Sequence, residues 1–437
     1  MIRRLTLGLL MLLPAAPAMA QEASAYGCNR LEEATPTPYI EGRDGVFFRL
    51  NLDLRLRHTV TEGSIELMAR LSEALAARGT TLIYVPVPSK GLAMPESLPE
   101  QAAGYGFDHD VAVGVYEDTV ARLREVGVIT VDALTPLLNL EEGQLAFIPT
   151  DHHWSSAGSR AVAAAVGRAV AETPGYAGLE KVTTETRSLG PQEIPSPVRR
   201  EIQAMCRGTI PPSVTEAFET EVTVPAASGG GGIFAAEAGG PAIALVGTSM
   251  SRTPAFDFEG FLAESAKLDV ANYAVIGGNQ YGAIVSYLMS DEFLSAGPKY
   301  LVWENPIYNN LGEFGELPMR ELVAAAIDNC TPLEAERPDD RTLVAEVPGG
   351  ELPADVYVRA DAGTTRGRAI EIGFVTQEGL RIAASIERTQ RLEPTRLFYQ
   401  YMEPFWEPGI SSVEVQFDRA VSGDASLAIC KDQETAS

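Results

Sequence analysis

Asp151-His152-His153-Trp154 and Gly247-Thr248-Ser249 supply a carboxylate, an imidazole and a hydroxyl. These are the three groups that turn a weakly nucleophilic serine into an acyl carrier. The chain holds only four histidines, His58, His109, His152 and His153, and two of them stand side by side in the first motif. The spacing of Asp151 and His153 suits a carboxylate that orients a general-base imidazole, whereas adjacent side chains seldom let an Asp reach the next His through Nδ1. His153 is therefore the expected base and Asp151 its orienter. A plainer reading makes Asp151 a helix cap and the two histidines surface polar groups. Adjacent histidines with no third ligand nearby make a poor metal cage, so no metal is expected.

Ser249 directly follows the strand-like run Ala242–Val246, the place where active-site loops gather in an open α/β sheet. Preceded by Gly, it can expose its hydroxyl and lend its own backbone N–H to an oxyanion. A strand-end turn or helix cap would use the same residues, and Ser251 or Thr253 could cap equally well. Gly277-Gly278-Asn279 follows another strand-like run. Asn279 is a candidate oxyanion donor there, or else part of a helix-entry turn. Trp303-Glu304-Asn305 stands where it could line the same cleft. His109, between Asp108 and Asp110, precedes a helical pattern and reads as part of a cap. His58, in an arginine-rich alternating stretch, reads as solvated.

The elements that must position these groups alternate. Apolar residues recur at helical spacing over 61–79 (Ile65, Leu67, Met68, Leu71, Leu75), with Gly79 suited to the C-terminal cap. Thr81–Val87 reads as a buried parallel strand. A helix over 111–126, a strand over 128–131 and an Ala-rich helix over 156–172 follow. Strands over 242–246, 273–276 and 300–303 come next, with a helix over 281–296 between the last two. Such alternation predicts a three-layer α/β/α domain with a mainly parallel sheet. The run 225–240 reads as a flexible loop inserted in that domain. Beyond about Cys330 the pattern becomes short alternating segments over 342–347, 355–360, 368–375, 380–387, 396–402, 412–417 and 425–430. Those predict a small all-β sandwich, with the boundary near 331–345.

The formal charge of −25 argues against nucleic acid as a partner and requires a local basic patch for any anionic ligand. Residues 1–20 carry Arg3 and Arg4, an apolar run Leu5–Leu13 and the small-x-small site Ala18-Met19-Ala20. That is the pattern of a cleaved signal peptide. The apolar run is too short to span a bilayer, and no later segment is apolar enough. An exported, periplasmic chain without a membrane span is expected. Export permits disulfides among Cys28, Cys206, Cys330 and Cys430. Of the three pairings, Cys28–Cys206 with Cys330–Cys430 staples each candidate domain internally.

The leader, Val85-Pro86-Val87-Pro88, Thr150-Asp151-x-His153-Trp154, Gly247-Thr248-Ser249-x-Ser251 and the Trp303-Glu304 strand end together resemble the AlgX-like alginate and exopolysaccharide O-acetyltransferases. The order of the motifs, Asp-x-His before Ser, resembles that group's permuted arrangement. The resemblance implies an SGNH-hydrolase-like domain over 21–335 and a carbohydrate-binding module over 336–437, with the same disulfide pairing. It implies Ser249 as nucleophile, His153 as base and Asp151 as orienter, with no organic cofactor. Acetyl would pass from a donor protein or small molecule, through Ser249, to hydroxyls of an anionic, alginate-like polysaccharide. Other components of an export complex would be partners. Binding of such a polymer would need a basic face from Arg366, Arg368, Arg381, Arg388, Arg391 and Arg396. Tyr399, Tyr401 or Trp406 would then serve as sugar-stacking platforms. Two rivals share these residues: a carbohydrate esterase with the same triad, and a non-catalytic polymer-binding scaffold.

Overall fold

The computed structural model describes residues 24–58, 60–223 and 241–431. The expected leader at 1–20 and the loop at 225–240 lie outside them. A five-stranded parallel sheet forms the frame, in the order Ile129–Thr130, Thr81–Val87, Tyr300–Pro306, Ile243–Val246, Val270–Asn272. Its three inner strands are apolar on both sides and covered on both, as parallel strands require. Helix Ser156–Ala171 packs in one apolar layer with Ile83, Val85 and Val302. Helices Glu62–Ala77 and Leu317–Ile327 pack in the other with Leu82, Tyr84, Leu301 and Trp303.

Local chemistry fixes the helix starts. Thr61 Oγ1 accepts the N–H of Ser64, Asp108 Oδ1 that of Val111, and Ser155 Oγ that of Gly158, each at 3.1 Å. Ser155, not Asp151, therefore caps the helix after the His motif. His109 is the first residue of helix His109–Glu125 rather than its cap, and its Nε2 lies 3.0 Å from Leu92 O.

Two expected elements are redrawn. The strand expected over 273–276 is Val270–Asn272; beyond it Tyr273 and Val275 still donate to Leu245 O and Gly247 O, at 2.8 and 3.0 Å, without a ladder. The helix expected over 281–296 is two short helices, Gly282–Leu288 and Asp291–Ser295, the second restarted by the Ser290 cap. Two antiparallel hairpins were not anticipated: Tyr39–Glu41 with Phe47–Arg49, and the long Thr183–Glu193 with Val214–Thr223.

All seven alternating segments of the second half are strands, and with Cys330–Leu333 and Ala335–Glu336 they form a four-stranded and a five-stranded antiparallel sheet. Val358, Ala360, Phe398 and Leu427 of one face Ile372, Phe374, Val413 and Val415 of the other. Strand Cys330–Leu333 pairs with Ser426–Lys431, so sandwich pairing begins ahead of the expected division at 335/336. Disulfides join Cys28 to Cys206 and Cys330 to Cys430. No helix of the described residues is long and apolar enough to cross a membrane.

Candidate active site

Ser249 opens a short helix, Ser249–Arg252, at the C-terminal end of the Ile243–Val246 strand. Buried Glu304, on the neighbouring strand, holds that turn. Its Oε2 accepts the Thr248 N–H at 2.7 Å and the Ser251 hydroxyl at 2.9 Å, and its Oε1 accepts the Thr248 hydroxyl at 3.1 Å. Burial raises the Glu304 pKa, and the hydrogen bonds from Thr248 and Ser251 oppose that rise. Gly247 is required by the same approach, because a Cβ there would lie 2.4 Å from Glu304 Oε2. Glu304 thus positions the Ser249 turn rather than lining a cleft.

The Asp-His-His-Trp loop is fastened by its own tryptophan. Fully buried Trp154 donates its indole N–H to Met250 O at 3.0 Å and packs on Phe258, with ring centroids 4.8 Å apart. Residues distant in sequence are thereby brought together. His153 Nε2 lies 2.7 Å from Ser249 Oγ, and Asp151 Oδ1 lies 2.5 Å from His153 Nδ1 and 2.9 Å from the His153 backbone N. Burial alone would push the Asp151 carboxyl up. The hydrogen bond from His153 and the proximity of both imidazoles outweigh it and hold the carboxyl below its ordinary range. Asp151 therefore stays ionised, as an orienter of an imidazole must.

His152 stacks on His153 at 3.9 Å between centroids, with its Nδ1 buried and unpartnered. Burial, reinforced by His153, keeps it well below the ordinary histidine value, hence neutral. One ligand atom each from Asp151, His152 and His153 lies within 4.8 Å of the others, so a third potential metal ligand is closer than the sequence indicated. His153, however, already commits Nδ1 to Asp151 and Nε2 to Ser249. The trio is better suited to moving a proton than to holding an ion.

The N–H groups that open a helix have no intrahelical partner, which leaves the Ser249 N–H available to an oxyanion. Asn279, the other oxyanion candidate, takes a positive φ of 56°. It lines a separate cavity of about 300 Å³ with Gly277, Tyr281, Arg388 and Tyr401, to which neither His153 nor Ser249 contributes. The entry turn of helix Gly282–Leu288 places it beside the sandwich.

The expected basic face is largely neutralised. Arg366 and Arg396 pair with Asp291, Arg396 also with Asp361, and Arg381 with Glu371 and Glu414. Arg388 is buried against Glu321 at 2.7 Å, and half-buried Arg368 donates to Leu392 O at 3.0 Å. Arg391 alone of the six is exposed with no carboxylate partner among the described residues; its guanidinium lies over Gly277. Two of the three stacking platforms, Tyr399 and Tyr401, are buried, and Trp406 is half-buried. Tyr399 is 1% exposed and donates to Asp328 at 2.9 Å, and Tyr401 lies under the Arg320 guanidinium at 4.2 Å. Trp406 packs against the sandwich core, with its indole N–H on Leu352 O at 2.8 Å. His58 is also buried, not solvated, and neither ring nitrogen has a partner among the described residues.

Sequence reading missed Lys90. It is 1% exposed, and its Nζ donates to Ile148 O, Pro149 O and Asp151 O at 2.7, 2.8 and 2.9 Å. Its only signal was a lone Lys after the Val85–Pro88 run.

A parallel α/β/α layer carrying a serine turn after one strand and an Asp-x-His loop beside it defines an SGNH-hydrolase-like domain. Residues 40–307 match the family model "SGNH hydrolase-like domain, acetyltransferase AlgX", and the chain belongs to that family. It is 35% identical to the alginate biosynthesis protein AlgX of Pseudomonas aeruginosa over 61% of this chain and 55% of that protein. It is 31% identical to AlgX of Pseudomonas fluorescens over 70% of this chain and 63% of that protein. The chain thus spans little more than half the length of these curated relatives. It is also 27% identical to the probable alginate O-acetylase AlgJ of Pseudomonas syringae, over 59% of this chain and 66% of that protein. The solved structure of Pseudomonas aeruginosa AlgX shares the fold at a TM-score of 0.76 and 23% identity, covering 93% of this chain and 98% of that one. The O-acetyltransferase domain of Pseudomonas putida AlgJ matches at 0.53 and 21%, covering 67% and 99%.

Proposed function

We propose that this protein is a periplasmic O-acetyltransferase that carries acetyl on Ser249 and passes it to hydroxyls of an alginate-like polysaccharide during its synthesis and export. The contact chain Asp151 Oδ1–His153–Ser249 Oγ carries the reading. Family membership and the named relatives support the reaction class and the polymer. The two disulfides suit an oxidising compartment.

In the first half-reaction Ser249 Oγ attacks the donor's acetyl carbonyl while its proton passes to His153 Nε2. Asp151 accepts the Nδ1–H and stabilises the imidazolium. The Ser249 backbone N–H is the donor the turn leaves for the oxyanion, and one such donor is worth about 3–4 kcal/mol. Collapse expels the donor's leaving group, which takes the proton from His153, and acetyl-Ser249 remains. A sugar hydroxyl then gives its proton to His153 and attacks the ester, and His153 Nε2 returns that proton to Ser249 Oγ as the acyl bond breaks.

The test incubates the protein with an activated acetyl ester and de-acetylated uronate oligomers. Acetyl appearing on oligomer, dependent on Ser249, supports the transferase. Free acetate alone would make the protein an esterase, and polymer binding without turnover would make it a scaffold.

A further inference from the structure

We infer that Lys90 is a positioning residue for the triad, an internal clamp that holds the Asp151–His153 loop in register with Ser249. The inference rests on the acyl-carrier reading above and adds a group that does not touch substrate.

Lys90 follows the strand Thr81–Val87 and lies beneath the loop. Its three hydrogen bonds converge on consecutive turns of one segment: Ile148 O, Pro149 O and Asp151 O. Three acceptors match the three N–H bonds of an ammonium, and a neutral amine could serve only two. No carboxylate ion-pairs with Lys90 among the described residues, so its charge is spent on the carbonyls. The loop's own bonds are few: Asp151 N to Ile148 O at 3.2 Å and Ile148 N to His153 O at 3.0 Å. Without Lys90, Asp151 O would lose its hydrogen bond, and Ile148 O and Pro149 O would keep only the N–H groups of Asp151 and Phe47, which destabilises that one conformation of the loop. The pocket is tight as well, since a Cβ on Gly91 would lie 2.3 Å from Asp53 O.

The charged and titratable groups around Lys90 are Asp53, Asp151 and Arg49, with His152 also within its field. Burial pulls the Lys90 ammonium down to about 7. Its third hydrogen bond is therefore lost as pH rises through neutrality.

The experiment measures the rate at which an activated acetyl ester acetylates Ser249, as a function of pH, in wild type, Lys90→Met, Lys90→Arg and Ser249→Ala. A misplaced general base costs about 100-fold, and that loss is expected for Lys90→Met below neutral pH, together with loss of the fall in rate that the wild type shows as Lys90 deprotonates. Lys90→Arg stays charged and should also lack that fall, but not recover the full rate, because a planar guanidinium cannot meet three converging carbonyls. A folded Lys90→Met with the wild-type rate and the wild-type pH profile overturns the inference. Should that variant not fold, ¹⁵N lysine spectra of the wild type decide. Three slowly exchanging Lys90 ammonium protons in mildly acidic buffer, shifted on Ser249 acylation, are expected; a resonance that ignores acylation overturns the clamp. Acylation of Ser249→Ala at the wild-type rate would sink the acyl-carrier reading itself, a failure distinct from that of Lys90.

Discussion

Glu304 Oε2 accepts the backbone N–H of Thr248 at 2.7 Å, one residue ahead of Ser249. The same oxygen takes the Ser251 hydroxyl, so one buried carboxylate spans the serine turn from both sides. Glu304→Gln keeps the shape but turns an acceptor into an NH₂ donor facing other donors. Leaving a buried polar group unsatisfied costs about 1–3 kcal/mol, and Ser249 acylation is expected to fall with it. Denaturant unfolding and the acylation rate, measured on one preparation, check both.

Arg388 separates the two uses of arginine in the sandwich. It is buried against Glu321, and removing one partner of such a pair costs about 3–5 kcal/mol. Arg388→Met should lower the unfolding midpoint and leave polyuronate binding intact. Arg391→Ala should do the reverse, since Arg391 is exposed and unpaired. Thermal melts and oligomer titrations of the two variants test the contrast.

His58 predicts an acid sensitivity unrelated to catalysis. Burial first, then the nearby Arg55 charge, pull its imidazole from the ordinary 6.5 to about 4. The unfolded chain therefore takes up a proton that the folded one refuses. Stability is complete above the unfolded value and is lost as pH falls from 6.5 toward 4, by about 3 kcal/mol over that window. His58→Leu should flatten this part of the profile. Urea unfolding of both proteins across the window measures it.

The site's chemistry was legible and much of its scaffolding was not. Asp151, His153 and Ser249 could be read because histidine is scarce and each motif sits at an element boundary. The helix over 61–79 followed from its apolar spacing and the strand Thr81–Val87 from its apolar, β-branched run, whereas the caps Asp108 and Ser155 emerged only in the structure. Lys90 and Glu304 were opaque because their partners, the carbonyls at 148–151 and the turn at 248–251, are distant in sequence and leave no periodic trace. The arginines misled for the same reason. Asp291 and Glu321 are brought to them by the packing of one half on the other, and Asp361 by strand pairing within the sandwich. Tyr399 and Tyr401 lie on a strand whose two faces are both covered, which an alternating pattern does not reveal.

The most direct test of the account is intact-mass analysis of the protein mixed with an activated acetyl ester, in wild type, Ser249→Ala and His153→Ala. The account predicts one acetyl adduct on wild type, mapped to Ser249, none on Ser249→Ala, and greatly slowed formation on His153→Ala. An adduct of equal yield and rate in all three proteins would contradict it.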